Sequence, residues 1–369
     1  VKIAHLDTGR SWRGGQVQIL ALLEGLAARG HRSLLLAPPA PLLERARAAG
    51  LAAQPWRCAG DLDLVARRHA RRAIAAFEPD VIHAHSSHAQ LPAVSSRGSR
   101  LTPVVVSRRV VKSIGVHLLS RWKYDTPVAR YLCISGAVLE SMRRSGVPDD
   151  RLALVPSGVD VDRLETIREQ VAAAGRGTEL RREIGAAESD VLVGTAAAMT
   201  AEKRGSLLLE SMRTVFDRVP SARFVWIGDG RERERLAGAA DRLGIADRVH
   251  WLGFRNDVHG LVAGLDLFVL ASSGEGLGTA VLEAQALGVP VVVTDSGGVR
   301  DAVSDGVTGR IAPDRDLGEA IVEAIRDPAM RARWRDAARA SVRSFDIPRM
   351  VDRTLEEYAW VHRATATRN

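Results

Sequence analysis

The chain has 369 residues, about twice a typical domain, and its 46% hydrophobic content suffices for two cores. No run of about 18 uncharged apolar residues occurs, so no transmembrane helix is expected, and residues 1–7 read as a strand rather than a signal peptide. The net charge of +8 is spread as arginine through most of the predicted helices, which reads as a solvated surface and not as a nucleic-acid site.

The amino-terminal half alternates strands and helices in the manner of a parallel sheet. Residues 2–6 predict the first strand. Gly14-Gly15 opens a helix through residue 28, closed by Gly30, and residues 31–37 form the second strand, stopped by Pro38-Pro39. Helices follow over 41–49 and 61–77, then central strands at 81–85, 103–107 and 131–135. After a helix to Gly146, a strand at 151–155 closes this half. The segment 156–160 marks the crossing, and 162–186, charged, alanine-rich and helical in pattern, reads as a bridging element. The second sheet is expected from strands at 191–195, 222–228, 249–253, 265–271 and 289–294, with helices near 205–219, 231–243 and 257–263. Residues 316–364 are helical by periodicity. Cys58 and Cys133 stand in no metal-like cluster, so a disulfide framework is not expected and a reducing cytoplasm fits.

The stretch that organises the rest runs from Ser273 through Glu275, Gly278, Thr279 and Glu283. It joins the buried strand at 265–271 to a helix that Gly288 and Pro290 close. A glycine-rich turn at the carboxyl end of a strand supplies unpaired helix amides, a positive dipole end and room for a phosphate. Two carboxylates, Glu275 in the loop and Glu283 on the second turn, can border the same cleft. A phosphate cradle alone gains nothing from them. A ligand with phosphates at one point and sugar hydroxyls on either side does, and that ligand is a nucleotide-sugar.

His83, His85 and His88 gather at the end of the strand at 81–85. A metal site needs ligands converging with a carboxylate, and none is evident, which leaves packing or, for His85, contact with acceptor or donor sugar. Asp61-Leu-Asp63 looks like helix capping rather than a metal triplet. Residues 112–124, with two of the four lysines (Lys112 and Lys123), mix apolar and basic residues at helical spacing. They read as an amphipathic helix packed on its own domain or, alternatively, lying on an anionic membrane.

With these motifs in order, residues 191–309 resemble the donor-binding domain of the family 4 retaining glycosyltransferases, which have the GT-B fold. The resemblance rests on Ala201-Glu202-Lys203, Gly228-Asp229-Gly230, Leu252-Gly253-Phe254, the Glu275–Glu283 pair, Gly288-Val-Pro290, Gly297-Gly298 and Asp305 to Gly309. In the first half it is looser, carried by Gly14-Gly15, Asp80 to His85 and Pro156 to Asp160. It implies an α/β chain of two Rossmann-like, doubly wound domains facing one cleft. Residues 1–160 are the acceptor side, 161–345 bind the donor, and a terminal helix at 346–369 returns to the first domain.

The resemblance also implies roles. Lys203 would hold the distal phosphate, with the Gly278 and Thr279 amides on the diphosphate and Gly14-Gly15 beside the donor. Glu275 would grip the sugar hydroxyls, Glu283 the ribose, and the region around Phe254 the base. Two departures stand out. Ala198 occupies the place of a family arginine, so Lys203 acts alone or Arg204, Arg10 or Arg13 substitutes. Arg108-Arg109 occupies the place of a first-domain histidine; an arginine binds anions but is no base, and Arg109 is the preferred candidate.

The expected activity is a metal-independent, retaining transfer of a hexose-type sugar to a hydroxyl of a glycan, glycolipid or small molecule. Envelope glycan or glycolipid synthesis on the cytoplasmic side fits, with no cofactor besides the donor and no nucleic-acid partner. An epimerase or phosphorylase of the same fold, or a nucleotide-sugar-binding module weakened by the missing arginine, are the alternatives. A dehydrogenase is disfavoured, because no Gly-X-Gly-X-X-Gly follows the first strand.

Overall fold

A computed structural model describes residues 1–98, 101–111, 124, 126–175 and 177–366. The chain divides into two compact units: Val1–Gly158 joined by the segment from Ile347 onward, and Val159–Asp346. No helix among the described residues is long and apolar enough to cross a membrane.

The first unit is built on seven parallel strands: β1 Lys2–Leu6, β2 Arg32–Ala37, β3 Ala53–Pro55, β4 Val81–Ala84, β5 Val104–Arg108, β6 Arg130–Cys133 and β7 Leu152–Leu154. Their order is β3-β2-β1-β4-β5-β6-β7. The chain winds outward in both directions from the β1/β4 pair, where Ala4 faces Ile82 and His5 faces His83. Such a reversal of strand order is where open α/β sheets bind ligands. The short β3 was not expected; its Ala-Gln-Pro sequence has no apolar pattern, and its proline is tolerated because the strand lies at the sheet edge.

The terminal helix Ile347–Ala366 lies in this unit, against the helix Gly14–Ala28. Gly25 makes the close approach possible, since a methyl group there would come within 2.5 Å of Val351. Tyr358, almost wholly buried, reaches the sheet and shares a 2.6 Å hydrogen bond with His83 Nδ1. Arg130 donates to Glu357 at 2.6 Å and Arg29 to Asp352 at 2.8 Å.

The second unit has six parallel strands in the order β10-β9-β8-β11-β12-β13. They are β8 Val191–Ala196, β9 Ala222–Ile227, β10 Val249–Gly253, β11 Leu267–Leu270, β12 Val291–Thr294 and β13 Arg310–Ala312. Strands β11 and β12 are buried at every residue, as strands covered on both faces must be. Phe216, Phe224 and Trp226 fill the core. The helical bridging element expected over 162–186 consists of two helices, Val161–Ala173 and Thr178–Ile184. Gly175 (φ 84°) and Gly177 (φ 74°) take left-handed backbone between them, which an α-helix cannot contain.

Candidate active site

In the second unit the predicted residues rise from loops at the carboxyl ends of adjacent strands. The loop after β8 carries Lys203, and it lies directly on the Gly228-Asp229-Gly230 turn. Met199 N–H donates to the Asp229 carbonyl at 3.0 Å. A methyl group at Gly228 would come within 2.1 Å of the Ala197 oxygen, and one at Gly230 within 2.4 Å of the Met199 oxygen. These glycines therefore set the height of the lysine loop. Ser273 N–H donates to the Glu202 carbonyl at 2.8 Å, tying that loop to the one after β11. Across this seam Lys203 Nζ forms an ion pair with Glu275 Oε1, both side chains largely shielded from water.

Behind Glu275, Gly298 N–H holds its carbonyl at 2.8 Å. Gly278 (φ 85°) then turns the chain into the helix Thr279–Ala286. The first N–H groups of such a helix have no intrahelical acceptor and present a positive end. Glu283 is half-buried on that helix, with His259 Nε2 at 3.7 Å. Phe254 is 71% exposed beyond Gly253, whose carbonyl accepts from Gly228 N–H at 2.7 Å. A pocket of about 320 Å³ between 174–182 and 257–264 contains none of these residues. The loop seam instead brings together the Lys203–Glu275 charge pair and the start of the helix Thr279–Ala286.

In the first unit Gly14 and Gly15 open the helix after β1. A methyl group at Gly15 would lie 3.8 Å from Arg109 Cδ, so the two predicted residues adjoin. The Arg109 Nε is buried without a partner among the described residues, and its Nη1 donates to Ser157 Oγ at 3.4 Å. Burial lowers its pKa to about 10, partly offset by Asp7, so it remains a cation at neutral pH. Arg108 turns elsewhere, its guanidinium 5.7 Å from the Tyr124 ring. A cavity of about 20 Å³, room for one water, lies among His83, Ser107, Arg109 and Ser157.

His85 is buried, but its companions differ from the expected set. His88 is exposed, 3.7 Å from Asp61. His5 takes its place, because β1 and β4 pair in register. His5 Nδ1 meets His85 Nε2 at 3.0 Å, while His83 Nδ1 meets Tyr358 and its Nε2 meets Ser107 Oγ at 2.8 Å. Nitrogens of His5, His83 and His85 lie within 4.8 Å of one another. The His5 and His85 rings stack with planes 11° apart, while His83 lies tilted by 35° on His85 with centroids 3.9 Å apart. Five of the six ring nitrogens are engaged, His5 Nε2 with Ser33 Oγ at 3.4 Å among them, and His85 Nδ1 is buried without a partner among the described residues. Burial holds the His5 pKa down to about 3 and lowers those of His83 and His85, so the trio is a neutral hydrogen-bonded network.

Comparison with known proteins identifies the family. Residues 12–163 match the family model "Glycosyltransferase Family 4", and residues 177–341 match "Glycosyl transferases group 1". The first span holds Gly14, Gly15, His85 and Arg109; the second holds Lys203, Phe254, Glu275, Gly278, Thr279 and Glu283. The chain belongs to the family 4 glycosyltransferases. A putative glycosyltransferase of Bacillus subtilis, EpsD, is 25% identical over 318 residues, covering 80% of this chain and 81% of that one. A GDP-mannose-dependent alpha-mannosyltransferase of Mycobacterium tuberculosis is 27% identical over 370 residues, covering 92% and 91%. The crystal structure of Anabaena HepE with UDP superposes with a TM-score of 0.84 at 19% identity, covering 97% of this chain and all of that one. The fold is thus GT-B.

In this glycosyltransferase Arg204 does not stand in for the missing arginine. It adopts φ 46° and donates through Nε to the Ala271 carbonyl at 2.6 Å, and through Nη2 to Thr294 Oγ1 at 3.0 Å and Asp314 at 2.9 Å. Its guanidinium fastens the strand ends beneath Lys203. Ala198 is exposed, Arg10 and Arg13 belong to the other unit, and the stretch 112–123 lies outside the described residues. Sequence reasoning missed His5, Ser157 and His259. His259 follows the Leu252-Gly253-Phe254 motif closely enough to have been noticed; His5 needed the β1/β4 register.

Proposed function

We propose that this enzyme is a retaining, metal-independent transferase that moves a hexose-type sugar from a nucleoside-diphosphate sugar to a hydroxyl of a glycan, glycolipid or small molecule. One observation carries the reading: the Lys203–Glu275 pair stands at the seam beside the Gly278–Thr279 helix start. A diphosphate there meets a point cation and unpaired amides, the groups that stabilise a leaving phosphate as the anomeric bond breaks. The carboxylate of Glu275, released from Lys203, faces the transferred sugar and the positive charge developing at its anomeric carbon. The acceptor oxygen forms its bond on the face the diphosphate leaves, and the acceptor proton passes to the departing phosphate oxygen. Glu283 takes the ribose hydroxyls, and the exposed Phe254 borders the base. Arg109, a buried cation with no carboxylate in contact among the described residues, binds an anionic group of acceptor or donor beside Gly15.

Because Lys203 and the amides supply the positive charge, turnover is expected to persist in excess EDTA. Lys203→Ala and Glu275→Ala are each expected to lower turnover by about a hundredfold or more with the fold intact. Near-normal turnover in either variant would remove the assigned roles. Analysis of the product anomer by NMR decides between retention and inversion.

A further inference from the structure

We propose that the helix Leu64–Phe77 docks the first unit on an anionic lipid surface. Leu62, Leu64 and Val65 are 67%, 73% and 80% exposed, three large apolar side chains within four positions. Single exposed leucines mean little, but a cluster on one projection marks an interaction site. The projection is rigidly built. Asp63 caps the helix by accepting from Ala66 N–H at 2.9 Å, and its other oxygen accepts from Ala59 N–H at 2.9 Å. Arg67 Nη2 braces the same turn on the Asp61 carbonyl at 2.6 Å, and buried Trp56 fastens the helix through the Ala66 carbonyl at 2.9 Å.

Positive charge outnumbers negative around this tip, where Arg57, Arg67, Arg68, Arg71 and Arg72 stand against Asp61 and Asp63. Arg68, Arg71 and Arg72 follow Leu64 and Val65 at three-, four- and seven-residue spacings, hence on the same helix face, and all three are exposed. Arg57 is exposed in the loop before it. None of these four arginines pairs with a carboxylate among the described residues. The two nearby acids are already engaged: Asp63 accepts from the Ala59 and Ala66 amides, and Asp61 lies 3.7 Å from His88. An apolar tip followed by a basic stripe matches a bilayer with anionic headgroups, where the leucines enter the acyl boundary and the arginines meet phosphates. Nucleic acid would satisfy the arginines but offers the leucines no apolar phase.

The test is sedimentation of the full chain with phosphatidylglycerol vesicles and with phosphatidylcholine vesicles. The wild type is expected to bind the anionic vesicles at least about tenfold better than the neutral ones, and less at high salt. Leu64→Asp/Val65→Asp and Arg68→Glu/Arg72→Glu are each expected to lose that binding while turning over a water-soluble acceptor normally. The inference fails if the wild type does not bind, if it binds neutral vesicles equally, or if both variants bind as the wild type does. It also fails if Arg121→Glu/Lys123→Glu alone abolishes binding. Failure of vesicle binding together with a dimer that Leu64→Asp/Val65→Asp dissociates would assign the face to a second copy instead.

Discussion

Lys203 Nζ and the Glu275 carboxylate are 72 residues apart in sequence and ion-paired in space. In the pair each neutralises the other, so a ligand that needs the lysine must compete with the glutamate. The two ends should therefore respond differently to a ligand carrying phosphates but no sugar. Glu275→Gln is expected to strengthen binding of UDP or GDP severalfold, by freeing Lys203, while turnover falls. Lys203→Ala is expected to weaken the same binding. The effect is modest because a partly exposed pair is screened by water. Calorimetric titration in which both variants weaken diphosphate binding equally would show that the pair does not gate the phosphate site.

Ala198 offers the converse test. It is exposed on the loop before Lys203, so a longer side chain meets no core there. Arg204 cannot supply the second cation, because Asp314, Thr294 and the Ala271 carbonyl already hold it. Ala198→Arg is expected to tighten nucleoside-diphosphate binding about tenfold, equivalent to about 1.4 kcal/mol. An unchanged dissociation constant with an unchanged melting temperature would mean that position 198 does not face the phosphates.

Much of this was legible because the signals are local. The strands β11 and β12 lie in short, nearly all-apolar runs, residues 267–271 and 289–294, and the Lys203 and Glu275 loops carry their own motifs. Neighbours set by register were not legible. That Lys203 meets Glu275 follows from β8 pairing with β11, and that His5 replaces His88 follows from β1 pairing with β4. Short edge strands such as β3 and β13 carry too few residues for periodicity to show. The division of the bridging element into two helices turned on Gly175 and Gly177, whose left-handed backbone a charged, alanine-rich composition concealed.

The histidine network predicts an acid sensitivity. His5 is held near a pKa of about 3 against an ordinary 6.5, and His83 and His85 are lowered by the same burial. Between those values the unfolded chain binds more protons than the folded one. The stability is therefore fully present above 6.5 and is lost as pH falls toward 3. His85→Gln keeps a hydrogen-bonding side chain and removes one titrating group. Its melting temperature is expected to fall less steeply than that of the wild type between about pH 7 and about pH 5. Parallel slopes would show that the carboxylates, not these imidazoles, set the acid response.

The terminal helix bears on the same network through one hydroxyl. Tyr358 is buried, and its 2.6 Å bond engages His83 Nδ1 inside the sheet of the first unit. Tyr358→Phe preserves the packing and leaves that nitrogen buried without its partner, at an expected cost of about 1–3 kcal/mol in urea denaturation. Asp352→Asn removes a neighbouring but exposed ion pair with Arg29 and should cost less than about 1 kcal/mol. If the two substitutions cost the same, the helix is held by the packing of Met350, Val351 and Val361 on Leu22 and Leu26 alone, and the tyrosine bond adds nothing.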